Sequence, residues 1–142
     1  MTYHLSIFME NRPGKLERIT KILADHAVNI RAISLASAGE FGVAKFLVDN
    51  GETAYNALKE QNITVSKRRI LIILLSDEPG AMHGLLQVLA ENEINLEDCY
   101  GFVIDRGNQA ALVIEAEKYP QAEGVLREKG YKLLSDEELR SL

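Results

Sequence analysis

The chain contains one cysteine, Cys99, so no internal disulfide framework can hold it together. It has no long apolar run. The longest, Ile70–Leu75, has strand length and falls far short of the roughly 20 residues that cross a bilayer. Its N-terminus lacks the charged-then-apolar layout of a secretory signal, which sets the expected compartment as the cytoplasm. It has no basic excess either: the formal net charge is −5, and an acidic chain is a poor partner for nucleic acid, whose binding rests on phosphate neutralisation. His4, His26 and His83 match no metal-ligand spacing. Cys99 falls in a predicted strand with no activating base in view, the pattern of an inert thiol. With no nucleophile–base pair, no ligand cluster and no phosphate-binding glycine loop, the reading is of a protein without catalytic residues, metal or cofactor.

What is present is a repeat. The 142 residues are 46% hydrophobic, enough for one domain or two small ones. Sixty-six positions apart, Pro13-Gly14 returns as Pro79-Gly80, Leu16 as Met82, Leu23-Ala24 as Leu89-Ala90, and Asn29-Ile30 as Asn95-Leu96. That period is too long for a solenoid and fits a duplicated domain, with boundaries at 1–67 and 68–142, the second part ending in a short tail. Charge is uneven: residues 1–66 hold 7 Lys+Arg against 7 Asp+Glu, whereas residues 67–142 hold 9 against 14.

Hydrophobic periodicity orders each copy. Tyr3, Leu5, Ile7 and Met9 alternate as one buried face of a strand. Pro13-Gly14 ends it, and Leu16, Ile19, Ile22 and Leu23 follow at helical spacing over about residues 14–25. His26 and its counterpart Asn92 stand where the helix must stop, as residues that accept positive φ. Glu17 and Lys21 are placed for an i,i+4 ion pair. Val28–Leu35 leads into a second strand, Ser37–Glu40 reads as a turn, and Val43–Asp49 is apolar on both faces, as an inner strand is. A helix from Asn50-Gly51 and a short strand at Ile63–Val65 complete the copy, and Lys67-Arg68-Arg69 reads as a solvated connection. The second copy repeats the order, with a turn at Asp105–Asn108, Pro120 suited to a helix's first turn, and a last strand at Tyr131–Leu134. Gly101 marks a bulge or a close backbone approach, and Ser135–Glu138 has capping-box spacing for a short tail helix. The class is α+β: two ferredoxin-like βαββαβ units, each an antiparallel sheet with its helices on one face.

On Asn11-Arg12-Pro13-Gly14 with Leu16 and Val28-Asn29-Ile30, and on Asp77-Glu78-Pro79-Gly80 with Met82 and Ile94-Asn95-Leu96, each copy resembles an ACT domain, the small module of amino-acid-responsive regulation. The whole chain resembles a stand-alone tandem ACT protein. The resemblance implies reversible binding of an amino acid or related metabolite at ACT–ACT interfaces, a metabolic enzyme as protein partner, and a homodimer, with no nucleic acid or membrane involved. It assigns Asn11, Arg12, Pro13, Gly14, Leu16, Asn29 and Ile30 to one site, and Asp77, Pro79, Gly80, Met82, Asn95 and Leu96 to another. Physical chemistry agrees, since a helix N-terminus offers unpaired N–H groups and partial positive charge to a carboxylate. The copies differ where Asn11-Arg12 becomes Asp77-Glu78, two carboxylates at the place of approach; the first loop is therefore the expected site.

Blander readings stand beside these. Pro-Gly before a helix is often only a turn, an Asn can bond its own backbone, and the chain could be a ligand-independent structural or interaction subunit of an enzyme complex. RNA-recognition domains share the βαββαβ order but read bases with exposed aromatic and basic residues on central strands. Here Val43–Val48 carries one aromatic and Ala110–Ile114 none.

Overall fold

The computed structural model describes residues 1–104 and 107–142. The chain divides into two compact units, one of Tyr3–Arg68 and one of Arg69–Leu142 together with Met1–Thr2.

In the first unit, strand β1 (Tyr3–Glu10) leads through the Pro13-Gly14 turn into helix α1 (Lys15–Asp25). Strands β2 (Ile30–Ala38) and β3 (Phe41–Val48), helix α2 (Gly51–Glu60) and strand β4 (Val65–Arg69) follow. The sheet order is β2-β3-β1-β4. The inner position expected from the two-sided apolar pattern of Val43–Asp49 is the one β3 takes. Its register with β1 pairs Leu5 with Phe46 and Ile7 with Ala44, both antiparallel. These residues share one face, and Ile19, Leu23, Ala54 and Leu58 of the two helices close over them in one core. The opposite face is buried at His4 and Leu47 and open at Phe8 and Phe41, whose rings stack with centroids 5.2 Å apart.

The second unit has β5 (Leu71–Ser76), α3 (Ala81–Glu91), β6 (Leu96–Val103), β7 (Gln109–Ala116), α4 (Tyr119–Glu128) and the tail helix α5 (Asp136–Arg140). The sheet order β5-β7-β6 repeats that of the first unit. Leu71, Ile73, Leu112 and Ile114 meet Leu85, Leu89, Ala122 and Leu126 in its core. The expected last strand is reduced to one bridge, Ile73 to Leu133, held by Leu74 N–H donating to Lys132 O at 2.9 Å and Leu134 N–H to Ile72 O at 2.8 Å. The expected turn at Asp105–Asn108 lies in part outside the described residues, at Asp105 and Arg106. Gly101 is a close approach: a Cβ there would lie 3.4 Å from the Ala111 carbonyl oxygen.

Three local expectations change. Helix α1 does end at His26, but the positive φ falls on Ala27, at 55°, and in the second copy on Glu93, at 54°. Val28 N–H returns to Leu23 O at 2.9 Å and Ala27 N–H to Ala24 O at 3.0 Å, so the cap's hydrogen bonds place the left-handed residue one position later. His26 instead donates from Nδ1 to Ile22 O at 2.8 Å, and Asn92 Nδ2 donates to Val88 O at 2.8 Å. Lys21 pairs with Asp25, at 2.9 Å, and not with Glu17. Lys67-Arg68-Arg69 is not a loose connection but the end of β4. Lys67 Nζ lies 2.5 Å from Glu52 and sits over the rings of Tyr3 and Tyr55, at 5.1 and 4.7 Å. The hydrogen bond from Lys67, then its charge, holds the Glu52 carboxyl below its usual range; the same bond raises Lys67.

The predicted capping box forms, and α2 has a cap of its own. Ser135 and Glu138 exchange the reciprocal bonds of a capping box. Asn50 Oδ1 accepts from Thr53 N–H at 3.2 Å at the start of α2. Asn50→Ala removes that acceptor and is expected to cost about 1 kcal/mol in urea unfolding; an unchanged midpoint would mean that the cap contributes nothing.

Candidate functional site

The two Pro-Gly loops have the same geometry. Gly14 has φ 88° and ψ −13°, and Gly80 has φ 89° and ψ −14°. This is the left-handed region, where a side chain strains the backbone and glycine does not. Each glycine accepts the first helical bond, from Arg18 N–H and from Gly84 N–H, both at 3.0 Å. In front of each glycine the space is open: a Cβ would find nothing within 4 Å. Among the described residues the N–H groups of Leu16 and Glu17, and of Met82 and His83, have no acceptor. The helix starts therefore present paired, unoccupied donors and the positive end of the helix dipole to open space.

The loops are anchored from a direction that the linear sequence did not suggest. Asn11 N–H donates to Glu40 O at 2.8 Å, and Asn11 Nδ2 donates to Gly39 O at 3.1 Å, so the β2–β3 turn holds the first loop. In the second copy Asp77 N–H donates to Asn108 O at 2.6 Å. The signal available was the fold order itself, which brings the hairpin tip beside the end of the first strand. Arg12 leans back, its Nε 3.0 Å from Glu10. Among the described residues Asp77 and Glu78 have no side-chain partner, so no described cation offsets the two carboxylates of the second loop.

Not every assigned residue is brought together. Asn11, Arg12, Pro13, Gly14 and Leu16 cluster at the N-terminus of α1. Asn29 and Ile30 lie beyond its C-terminus, and an eleven-residue helix is about 16 Å long. Asn29 is tied to the far end of β3, its N–H donating to Asp49 Oδ1 at 2.9 Å and its carbonyl accepting from Asp49 N–H at 3.1 Å. Pro79, Gly80 and Met82 are separated from Asn95 and Leu96 by α3 in the same way. A ligand held by both groups cannot sit within one unit. The side chains of Asn29 and Asn95 are exposed.

The titratable groups nearby point away from nucleophilic chemistry. Burial pushes the Cys99 thiol up and the Asp98 carboxylate adds to it, which keeps the thiol protonated at neutral pH. Burial, then Asp98 and Glu115, raise Tyr100 as well. Among the described residues, no helix is long and apolar enough to cross a membrane.

A family model described as an ACT domain pair matches residues 1–142. Among solved structures, protein BT0572 from Bacteroides thetaiotaomicron is similar over 99% of this chain and 96% of its own, with 31% identity and a TM-score of 0.93. The regulatory subunit of aspartate kinase from Thermus thermophilus, in its ligand-free form, is similar over 90% of this chain and 93% of its own, with 17% identity and a TM-score of 0.64. The structure of aspartokinase alpha and beta subunits matches with 16% identity over 89% of this chain and 90% of that one, at a TM-score of 0.61. No curated protein matches.

Proposed function

Because the chain belongs to the family of ACT domain pairs, we propose that it is a non-catalytic regulatory protein of the cytoplasm. In this reading it reversibly binds an amino acid or a related small metabolite and thereby modulates a separate metabolic enzyme. The observation that carries the reading is the pair of helix starts, each with free N–H donors, open space and a left-handed glycine. A carboxylate suits that environment. An enzyme partner is supported by the name of a structure that shares the fold, a regulatory subunit of aspartate kinase.

The separation of Asn29 from Gly14 gives the proposed assembly a reason. Strand β2 is an edge of its sheet, and Ile33 and Leu35 on it are 44% and 50% exposed. Exposed apolar edges invite pairing. If two protomers pair β2 against β2 antiparallel, the Ala38 end of one strand meets the Ile30 end of the other. The Asn11–Gly14 loop of one protomer then faces Asn29 of its partner, and the two halves of the assigned site join. Homodimerisation thus completes the site in this proposal. Regulation follows only if the ligand prefers one of two poses, since equal affinity for both shifts nothing.

Isothermal titration and thermal shift against the twenty amino acids test the reading. One or a few are expected to give saturable heat, and a ligand at about a hundred times its Kd adds about 2.7 kcal/mol of stability. No heat and no shift with any of them at millimolar concentration would sink the amino-acid version. Co-purification with an enzyme, indifferent to amino acids, would favour a ligand-independent interaction subunit.

A further inference from the structure

The unit of Tyr3–Arg68 holds a cavity of about 320 Å³ that none of the loop residues assigned above lines. It lies between the start of α1 and the end of β1, where Ile63 and Thr64 pass. Met9, Ile19 and Ile63 contribute apolar wall, with Phe8 and Phe41 beside them. Its size lies at the small end of the range of ligand pockets.

Two cations line this cavity, Lys15 and Arg18. They are three residues apart on one helix and so share a side. Among the described residues neither has an ion-pair or hydrogen-bonding side-chain partner. Glu10 is the one acidic residue in the lining, and its carboxylate is engaged by Arg12 at 3.0 Å. The local balance is therefore cationic. Helix stability does not explain the placement, because positive charge in a first turn opposes the helix dipole.

The second copy shows that the fold does not require these residues. Ala81 stands at the position of Lys15 and Gly84 at that of Arg18, while the core residue Ile19 is matched by Leu85. Ile63, whose N–H returns to Leu58 O at 3.1 Å, corresponds to Tyr131, whose N–H returns to Leu126 O at 3.0 Å. A Cβ built on Gly84 would lie 3.7 Å from the Tyr131 hydroxyl. In the second copy a tyrosine reaches over the place where the first copy has an arginine beside open space.

We propose that this cavity binds a small organic anion, its carboxylate or phosphate held by Lys15 and Arg18 and its apolar part packed on Met9, Ile19 and Ile63. The cavity adjoins the loop site but shares no lining residue with it.

The test is a titration followed by amide NMR, with phenylacetate, phenyl phosphate and the neutral benzyl alcohol as probes. Either anion is expected to shift the amides of Ile19, Ile63 and Thr64 saturably at millimolar concentration, and benzyl alcohol to bind at least about tenfold more weakly. The tighter anion names the ligand class as carboxylate or phosphate ester. The double variant Lys15→Gln/Arg18→Gln is expected to lose about tenfold or more in affinity at unchanged melting temperature. Ile63→Tyr, which imports the second copy's residue, should abolish binding by closing the cavity and gives an independent reading should the charge variant fail to fold. Absence of saturable shifts with both anions at about 10 mM, equal binding of benzyl alcohol, or undiminished binding in the variants would overturn the proposal.

Discussion

Phe46→Ala is expected to destabilise the unit of Tyr3–Arg68 by about 3–5 kcal/mol, read as a fall in the urea midpoint at unchanged slope. Phe46 is 0% exposed and stands on an inner strand of its sheet. It pairs with Leu5 on β1 and with Ile33 on β2, on the face that both helices cover. Truncation removes the ring's transfer free energy and leaves a void that the flanking strands cannot close without breaking the ladder. Against a typical domain stability of about 5–15 kcal/mol, the loss could leave the unit partly unfolded at room temperature. Phe46→Ile is the control, because the second copy carries Ile114 at the matching register, 0% exposed. It should cost much less. A loss below about 1 kcal/mol for the alanine variant would mean that the ring is not packed as described.

The parts of the fold legible in the sequence are those whose signal is local. Leu5 and Ile7 alternate with His4 and Ser6, and that period of two marks a strand wherever it sits. Ser135 and Glu138 form their box within one turn of helix. Errors arise where distant groups decide. Lys67 looks like a linker residue until Glu52, Tyr3 and Tyr55 gather round it, and charged residues on an edge strand are an ordinary guard against aggregation. Tyr131–Leu134 has a strand's apolar pattern, yet only Leu133 bridges to the sheet. The left-handed residues Ala27 and Glu93 carry no turn chemistry of their own; their conformation is set by the bonds that Val28 and Ile94 make back to the helix.

The candidate sites divide along the same line. Gly14 and Gly80 announce themselves because only a conformational need explains a glycine there twice. That Asn29 lies a helix length from Gly14 follows from β1-α1-β2 order and could have been drawn from topology alone. The cavity could not, because Arg18 and Ile63 come together only in the folded unit. Its one linear trace is the contrast of Lys15 and Arg18 with Ala81 and Gly84 between otherwise matching helix starts.

The asymmetry of the two loops leads to the second large effect. Gly14→Leu is expected to lower amino-acid affinity by more than about tenfold, whereas Gly80→Leu should change it by less than about twofold, in titrations of otherwise identical protein. Both glycines have φ near 90°, so a side chain strains each backbone alike, by about 1–2 kcal/mol. Neither substitution meets a neighbour, since a Cβ at either place finds nothing within 4 Å. The stability cost therefore cancels in the comparison, and thermal melting of the two variants should agree. What differs is the electrostatic setting. At the first loop Asn11 is neutral and Arg12 shares its charge with Glu10. At the second, Asp77 and Glu78 stand on the loop that leads into the helix start, and a carboxylate ligand about 4 Å from either meets repulsion of roughly 1–4 kcal/mol between aqueous and surface dielectric. That is enough to make the first loop dominate. Gly14→Asn separates strain from obstruction, because Asn accepts the left-handed region: it should melt nearer to the parent than the leucine variant does, yet still weaken binding. Equal losses at Gly14 and Gly80 would show that both helix starts bind and that the acidic pair is turned from the ligand. A larger loss at Gly80 would instead assign Asp77 and Glu78 to the ligand's ammonium group.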